Sequence, residues 1–433
     1  MSTDDRMSID ERWKYLRIMQ KRYLEADLAA RGQLLDEMQA TTGLHRKSLI
    51  RLMNSDMKRR PRQRQRSRTY GPEVDDALRV IHESWDYICA ERLTPDLVWM
   101  AQHLGDFGEL LVTDQLLNQL GRISVSTVRR ILARIHQDEP RLPRKPPSIG
   151  NSVTRDVPMK IIPWNEQEVG HFETDTVHHG GSSPVGEFVY SLQMIDVATG
   201  WSERVAVLGR SYLVMADAFL TILERLPFPA LEIHPDNGSE FFNHHLVSFW
   251  KDAVPDADLS RSRPYHKNDN RFVEQKNRTL VRAYLGSDRL DTVAQTLELN
   301  KLYDMMWVYY NLFQPVMRLA EKTVVHREGQ NRRVRRRFDR ARTPFDRLCL
   351  TDALTPQRRE QLESLQRQTN PRELRRHIYK QIDKVFSLPC AKPGSIQNVY
   401  DTLRHPPDLI RAPDELNLFM PLYQPAALDQ FTT

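Results

Sequence analysis

Between His171 and Leu208 three runs of alternating polar and apolar residues follow one another, separated by two glycine-bearing turns. The first is His171-Phe-Glu-Thr-Asp-Thr-Val177, and Gly180-Gly-Ser-Ser-Pro184 turns the chain after it. The second is Glu187-Phe-Val-Tyr-Ser-Leu-Gln-Met-Ile-Asp196, followed by the turn Ala198-Thr-Gly200. The third is Trp201-Ser-Glu-Arg-Val-Ala-Val-Leu208. A period of two dictates strands, and connections this short suit antiparallel neighbours. An amphipathic helix over 212–226 comes next (Leu213, Ala216, Phe219, Leu220, Leu223), then a short strand Leu231-Glu-Ile-His234. A helix from Asn243 to Val254, a brief strand Asp258-Leu-Ser-Arg261 and a further helix after Asn270 complete the series.

Three antiparallel strands, then helix, strand, helix, strand and helix, is the order of an α/β RNase H-like domain. That order collects carboxylates. Asp175 lies near the end of the first strand, and Asp236, in His234-Pro-Asp-Asn-Gly-Ser-Glu-Phe241, follows the fourth. Glu274 stands on the first turn of the last helix, in Arg263-Pro-Tyr-His-Lys-Asn-Asp-Asn-Arg-Phe-Val-Glu-Gln-Lys-Asn277. In-line attack on a phosphodiester uses two divalent ions about 4 Å apart, one activating the nucleophile and one stabilising the leaving oxygen. Mg²⁺ takes hard oxygen ligands and keeps several waters, so a few carboxylates suffice, and Mn²⁺ is expected to substitute. Asp175 is expected to bridge both ions, with Asp236 and Glu274 each holding one. Rival ligands are Glu173, which shares a strand face with Asp175, together with Glu240 and Asp269. His178, His179 and His266 are candidates for proton transfer, although lone histidines are more often structural. Asn237 and Gly238 shape the turn at Asp236 or contact DNA.

The flanks carry the positive charge. Lys and Arg number 63 against 57 Asp and Glu, and the excess is concentrated in two runs. One is Lys58-Arg-Arg-Pro-Arg-Gln-Arg-Gln-Arg-Ser-Arg68, and the other is Arg332-Arg-Val-Arg-Arg-Arg337 with Arg340 and Arg342 beyond it. A single run of this kind suits a solvated face. Two runs around a carboxylate cluster suit a polyanion.

The N-terminal third reads as two helix-turn-helix units. In the first, Leu34, Leu35 and Met38 form an apolar face, and Gly43 suits a positive φ at the turn. The next helix opens on His45, Arg46 and Lys47, with Leu49, Ile50 and Leu52 turned inward. A recognition helix has this form, with Arg46 and Lys47 expected to face the major groove of DNA, and so does an ordinary αα-hairpin. In the second unit, Asp114–Gly121 precedes a helix capped by Ser124 that turns Val128, Ile131, Leu132 and Ile135 to one side. Ser126, Thr127 and Arg130 are the side chains expected to face bases.

The domain expectation follows. Residues 1–57 form a helix-turn-helix unit, 58–71 a basic linker, 72–139 a second helix-turn-helix unit and 140–160 a proline-rich linker. Residues 161–288 form the catalytic core, 289–348 a helical, Arg-rich, DNA-contacting extension, and 349–433 a helical C-terminal region with a tail. Cys89, Cys349 and Cys390 make no CxxC pair, so no zinc site or disulfide framework is indicated. The start, Met1-Ser-Thr-Asp-Asp-Arg6, has no signal-peptide character, and no apolar run approaches the length of a bilayer span. A cytoplasmic, nucleoid-associated protein is expected.

Residues 170–280 resemble the integrase catalytic core of DDE transposases and retroviral integrases. Asp236-Asn-Gly-Ser-Glu-Phe241 is similar to that family's Asp-Asn-Gly-x-Glu-Phe motif. The 37 residues between Asp236 and Glu274 are close to its usual interval of about thirty-five. More narrowly, Asp175-Thr-Val177, Arg263-Pro-Tyr265, Lys267-Asn-Asp-Asn270 and Val273-Glu-Gln-Lys-Asn277 resemble bacterial insertion-sequence transposases. Asn311-Leu-Phe-Gln-Pro315 and Arg342-Thr-Pro-Phe-Asp-Arg-Leu348 extend that resemblance. It implies a transposase that binds double-stranded DNA at transposon terminal repeats, cleaves to expose a 3′-hydroxyl and joins that hydroxyl to target DNA. A homodimer or larger synaptic assembly is then expected. Lys267, Asn268, Asn270 and Lys276 become candidate DNA contacts near the site, and Arg335 and Arg336 candidates on the extension. The competing expectation is a non-catalytic, domesticated transposase that binds DNA sequence-specifically.

Overall fold

The computed structural model describes residues 7–57, 69–135, 166–182, 185–235, 249–250, 252–260, 270–325, 333–392 and 394–406. The chain divides into two compact units, Met1–Thr69 and Tyr70–Thr433.

The first unit holds three helices: α1 (Ile9–Glu25), α2 (Leu28–Thr42) and α3 (Arg46–Met53). Ser8 and Glu11 cap α1 reciprocally, and the Asp27 side chain accepts from the Ala30 amide at the start of α2. Gly43 ends α2 at φ 68°, the left-handed conformation a side chain would strain. Leu16, Met19, Tyr23, Leu35, Met38, Leu49 and Met53 from all three helices bury one small core.

The second unit opens with five helices: α4 (Pro72–Ser84), α5 (Ala90–Leu93), α6 (Leu97–Asp106), α7 (Asp114–Arg122) and α8 (Val125–Leu132). Ser124 caps α8 through the Thr127 amide. The central sheet is built from β1 (His171–His178), β2 (Val189–Asp196), β3 (Ser202–Leu208), β4 (Glu232–Pro235) and β5 (Asp258–Leu259). Its order is β3-β2-β1-β4-β5. The first three strands are antiparallel, and β4 and β5 run parallel to β1 and to each other. Helix α9 (Tyr212–Arg225) packs on β3. This is the RNase H-like arrangement, with helical regions on either side of it in sequence.

The last helix of the core is α10 (Arg271–Lys276), continued by the π-helical stretch Asn277–Arg282 and by Ala283–Leu285. Helix α11 (Val293–Val308), extended by π-helical Tyr309–Phe313, also packs on β3. Buried Arg225 joins α9, β3 and α11, donating to Glu203 at 2.6 Å and to Asp304 at 3.0 Å. Trp201 and Trp307 give their indole N–H groups to the same Glu203 carboxylate.

The extension expected to be helical over 289–348 departs from that expectation after Phe313. Strands β6 (Leu319–Val325) and β7 (Arg333–Phe338) pair antiparallel as a two-stranded ribbon. The β-branched run Thr323-Val-Val325 with Val334 favours extended backbone over helix. Three helices follow: α12 (Pro344–Leu348), α13 (Pro356–Gln368) and α14 (Pro371–Ser387).

Helices α4 to α8 share one continuous core with these C-terminal helices. The Trp85 indole donates to the Phe313 carbonyl at 2.7 Å, and Tyr309 donates to the Ser84 carbonyl at 2.7 Å. His103 bonds the Thr369 carbonyl, and Arg372 pairs with Glu83 and Glu109. Buried Arg375 meets buried Asp86 at 3.1 Å, and Tyr284 and Tyr379 donate to that same carboxylate. Asp86 sits at φ 53° in the turn that ends α4, a conformation its partners hold in place.

Candidate active site

Strand β1 carries Asp175 and pairs in parallel with β4. Thr174 pairs with Pro235, the last residue of β4. The residues that follow each of these in sequence are Asp175 and Asp236. Asp236 lies outside the described residues, as do Glu240, His266, Lys267, Asn268 and Asp269. Among the described residues no group of three His, Cys, Asp or Glu could hold a metal ion.

Helix α10 is fastened to β1 at two points. Glu173 Oε2 accepts hydrogen bonds from the Phe272 amide at 2.7 Å and the Val273 amide at 3.0 Å. Asp175 Oδ2 accepts from the Asn277 side-chain amide at 2.6 Å, and its Oδ1 from the Thr176 amide at 2.8 Å. Both carboxylates project from one strand face because they are two residues apart. Val273, Asn277, Leu280 and Val281 form the buried side of α10. Glu274 is exposed, roughly 60° round the helix from Asn277 and so on the flank nearer Asp175.

Glu173, the rival ligand, is therefore engaged in anchoring the helix that carries Glu274. Burial pushes its carboxyl up to about 7, against the pull of the Val273 and Phe272 amides and of Arg271 and Arg318. Its Oε1 is buried without a hydrogen-bond partner.

A polar row crosses the sheet from Asp175. Asp175 pairs with Gln193 on β2, and Gln193 with Arg204 on β3, so all three share a face. Both side-chain amide atoms of buried Gln193 lack partners. Arg204 donates from Nη1 to Ser202 at 2.9 Å, whereas its Nε and Nη2 have no partner. Its guanidinium lies over the Tyr303 and Tyr310 rings at 5.9 and 5.5 Å, and burial lowers its pKa to about 10.

Asn270 is buried at the N-cap of α10, its side-chain amide unpartnered, rather than on an open surface. Lys276 lies roughly 160° round α10 from Glu274, on the opposite flank. Burial, reinforced by Arg92, Arg204, Arg318 and Arg347, lowers its pKa to about 7. His179 is fully buried, bonds Ser191 at 2.8 Å and is kept neutral by burial, which lowers its pKa to about 3. That is a structural histidine; Ser191 passes the network on to Tyr303. His178 is exposed beside Phe188.

In the first unit Arg46 pairs with Asp36 and donates to the Gly32 carbonyl, while Lys47 is exposed. On α8, Ser126 is exposed, and Arg130 donates to the Ser126 carbonyl and the Thr127 hydroxyl. Neighbouring Arg129 and Arg134 pair with Glu91 and Asp75. Arg335 and Arg336 are exposed on β7 and, being adjacent, face opposite sides of the ribbon.

Three groups here were not singled out from the sequence: Glu173 as an anchor, Asn277 as the partner of Asp175, and the Gln193–Arg204 row. Asn277 carried a signal, because a residue three beyond Glu274 shares its helix flank.

No family model matches the chain. It is 35% identical over 319 residues to the uncharacterized protein y4rM of Sinorhizobium fredii (strain NBRC 101917 / NGR234), which covers 73% of this chain and 91% of that protein. Among solved structures, the catalytic core domain of BIV integrase shares 19% identity at a TM-score of 0.24, covering 34% of this chain and 86% of that one. The simian T-cell lymphotropic virus intasome in complex with PP2A regulatory subunit B56 gamma shares 14% identity at a TM-score of 0.27. That overlap covers 50% of this chain and 69% of the other. These scores are low, and the fold assignment rests on strand order and pairing in this chain itself. From its long match to the Sinorhizobium fredii protein, the chain belongs to the y4rM family.

Proposed function

We propose that this protein is a DNA transposase, a polynucleotidyl transferase whose Asp175, Asp236 and Glu274 carry out phosphodiester cleavage and strand transfer. One observation carries the reading most: β1 holds Asp175 one residue beyond its pairing with Pro235, and fastens by its own carboxylates the helix that bears Glu274. Hard carboxylate oxygens of this kind suit Mg²⁺ or Mn²⁺, which Asp175, Asp236 and Glu274 would hold. Such ions, when bound, supply Lewis-acid stabilisation of the attacking and leaving oxygens.

The chain's own residues supply the rest. Asn277 and the Thr176 amide each hold one oxygen of Asp175, which fixes its orientation. Glu173 holds the start of α10 and so sets the position of Glu274. Lys47 on α3, and Ser126 and Arg130 on α8, are the side chains assigned to reading the transposon end in a helix-turn-helix manner. Arg335 and Arg336 on the ribbon are assigned to the DNA backbone or groove, which admits a two-stranded β-ribbon. Joining two ends requires a dimer or larger assembly.

The test uses labelled terminal-repeat DNA, the full-length protein and either Mg²⁺ or EDTA, scored for binding, nicking and joining. Glu274→Gln is expected to bind ends as the parent does and to lose metal-dependent cleavage. Strand transfer at the parent level by that variant would overturn the assignment. Binding without cleavage by the unmodified protein would favour a domesticated DNA-binding protein instead.

A further inference from the structure

Opposite Glu274, the other flank of α10 gathers more positive charge than the acids around it balance among the described residues. Lys276 is half-buried, and the positive charges of Arg92, Arg204, Arg318 and Arg347 act on it. One turn before it on α10, Phe272 lies against Arg318, whose guanidinium is 4.7 Å from the ring centroid. Residues 314–318 tie the cluster together. Arg92 donates to the Pro315 carbonyl at 2.6 Å and to Gln314, and Arg347 donates to the Val316 carbonyl at 2.8 Å.

Among the described residues the acids that act on Arg318 are Asp339, Asp196 and Glu173, and each already accepts hydrogen bonds elsewhere. Asp339 takes two hydrogen bonds from Arg347 and one from the Arg318 amide. Asp196 accepts from the Gly170 and Thr199 amides and the Thr199 hydroxyl. Glu173 accepts from the α10 amides. Among the described residues the ammonium of Lys276 and the guanidinium of Arg318 have no hydrogen bond or ion pair. Behind them, the Nε and Nη2 groups of Arg204 and the Nε2 of Gln193 are buried with no acceptor. Unpaired buried donors at Arg204 and Gln193 call for an acceptor that the described residues do not supply.

We propose that Lys276 and Arg318, backed by Arg204, form a seat for an oxyanion, and that its occupant is a backbone phosphate of the nucleic acid substrate. The occupant follows from position. The seat is on the helix that carries Glu274, and Arg318 leads directly into β6, whose partner β7 carries exposed Arg335, Arg336 and Arg337. A polyanion running along the ribbon arrives at the seat. The occupant rests on the reading of the protein as a DNA transposase; the seat does not.

Two measurements separate these. In the first, binding of a fluorescent duplex to the full-length protein is followed from low to high salt. Lys276→Gln and Arg318→Gln are each expected to weaken binding roughly 10-fold near 0.1 M salt and to lower the slope of log affinity against log salt by about one. Lys276→Arg is expected to restore both. In the second, sulfate is titrated at constant ionic strength. Its stabilisation of the parent, read as a rise in melting temperature, is expected to shrink in both Gln variants beyond sulfate's general effect on any protein.

An unchanged salt slope in both Gln variants would overturn the phosphate occupant, and an undiminished sulfate response would overturn the seat. A parent that binds no duplex would remove the transposase reading and the phosphate occupant together, leaving the sulfate titration to decide the seat. A circular-dichroism melt of each variant shows whether it is folded, and Lys276→Arg keeps the test informative if a Gln variant is not.

Discussion

Asp175 presents its two oxygens to different partners, one on its own strand and one on α10. The Asn277 amide is therefore a positioning group for a carboxylate that is expected to serve two ions. Asn277→Ala is expected to leave DNA binding intact while lowering metal-dependent cleavage about 10- to 100-fold, the usual cost of losing a group that orients a metal ligand. Cleavage measured against Mg²⁺ concentration checks this, and much of the loss should be recovered at high Mg²⁺. A second residue makes a pH prediction. His405 bonds Asp217 at 2.7 Å and Glu224 at 3.0 Å on α9. Burial alone would lower its pKa, but the bonds to these two carboxylates and their charges outweigh it and raise the value from 6.5 to about 9. The folded state thus holds the proton more tightly than the unfolded chain. The stabilisation, up to about 3 kcal/mol, is complete below roughly pH 6.5 and is lost as pH rises through about 9. His405→Gln should melt lower than the parent at pH 6, and the gap should close near pH 10.

At the scale of elements, α10 depends on two carboxylates of one strand. Glu173→Gln keeps an acceptor for the Phe272 and Val273 amides, whereas Glu173→Ala leaves them unpaired at a cost of about 1–3 kcal/mol. Hydrogen exchange at those two amides is expected to quicken in the Ala variant and to stay near the parent rate in the Gln variant. Equal exchange in both would remove Glu173 as the anchor. The sheet itself was legible in the sequence because each strand states its period locally, and Gly43 and Ser124 state their turn and cap in the same way. The anchoring was not. On β1, Glu173 and Asp175 are two acids of equal standing, and only the arrival of a helix from 100 residues further on tells them apart. The ribbon was misread for a related reason. A run of arginines says little about backbone conformation, and the decision fell to a few β-branched neighbours and to the pairing of β6 with β7. Asn270 and Lys276 looked like open polar residues because their neighbours are polar, yet the fold covers the first and sets the second against arginines from distant segments.

At the scale of the whole molecule, α4 to α8 are joined to α13 and α14 through buried polar pairs as well as apolar contact. Arg375 and Asp86 are each almost fully buried, so Arg375→Ala takes a buried cation away from a buried acid. A loss of about 3–5 kcal/mol in a urea titration is expected, and a variant within about 1 kcal/mol of the parent would show that the remaining partners of Asp86, Tyr284 and Tyr379 among them, satisfy it. The same joining has a consequence for the order in which the chain can fold. The helices around Trp85 are synthesised early, but the surfaces they pack against are contributed by Phe313, Thr369 and Arg375. Most of the polypeptide must leave the ribosome before that core can close. Until then the part of α4 that packs on α14 waits uncovered, and contacts spanning more than 200 residues close slowly. A nascent chain halted after the central sheet should therefore be aggregation-prone and a client of chaperones, even though its sheet is complete.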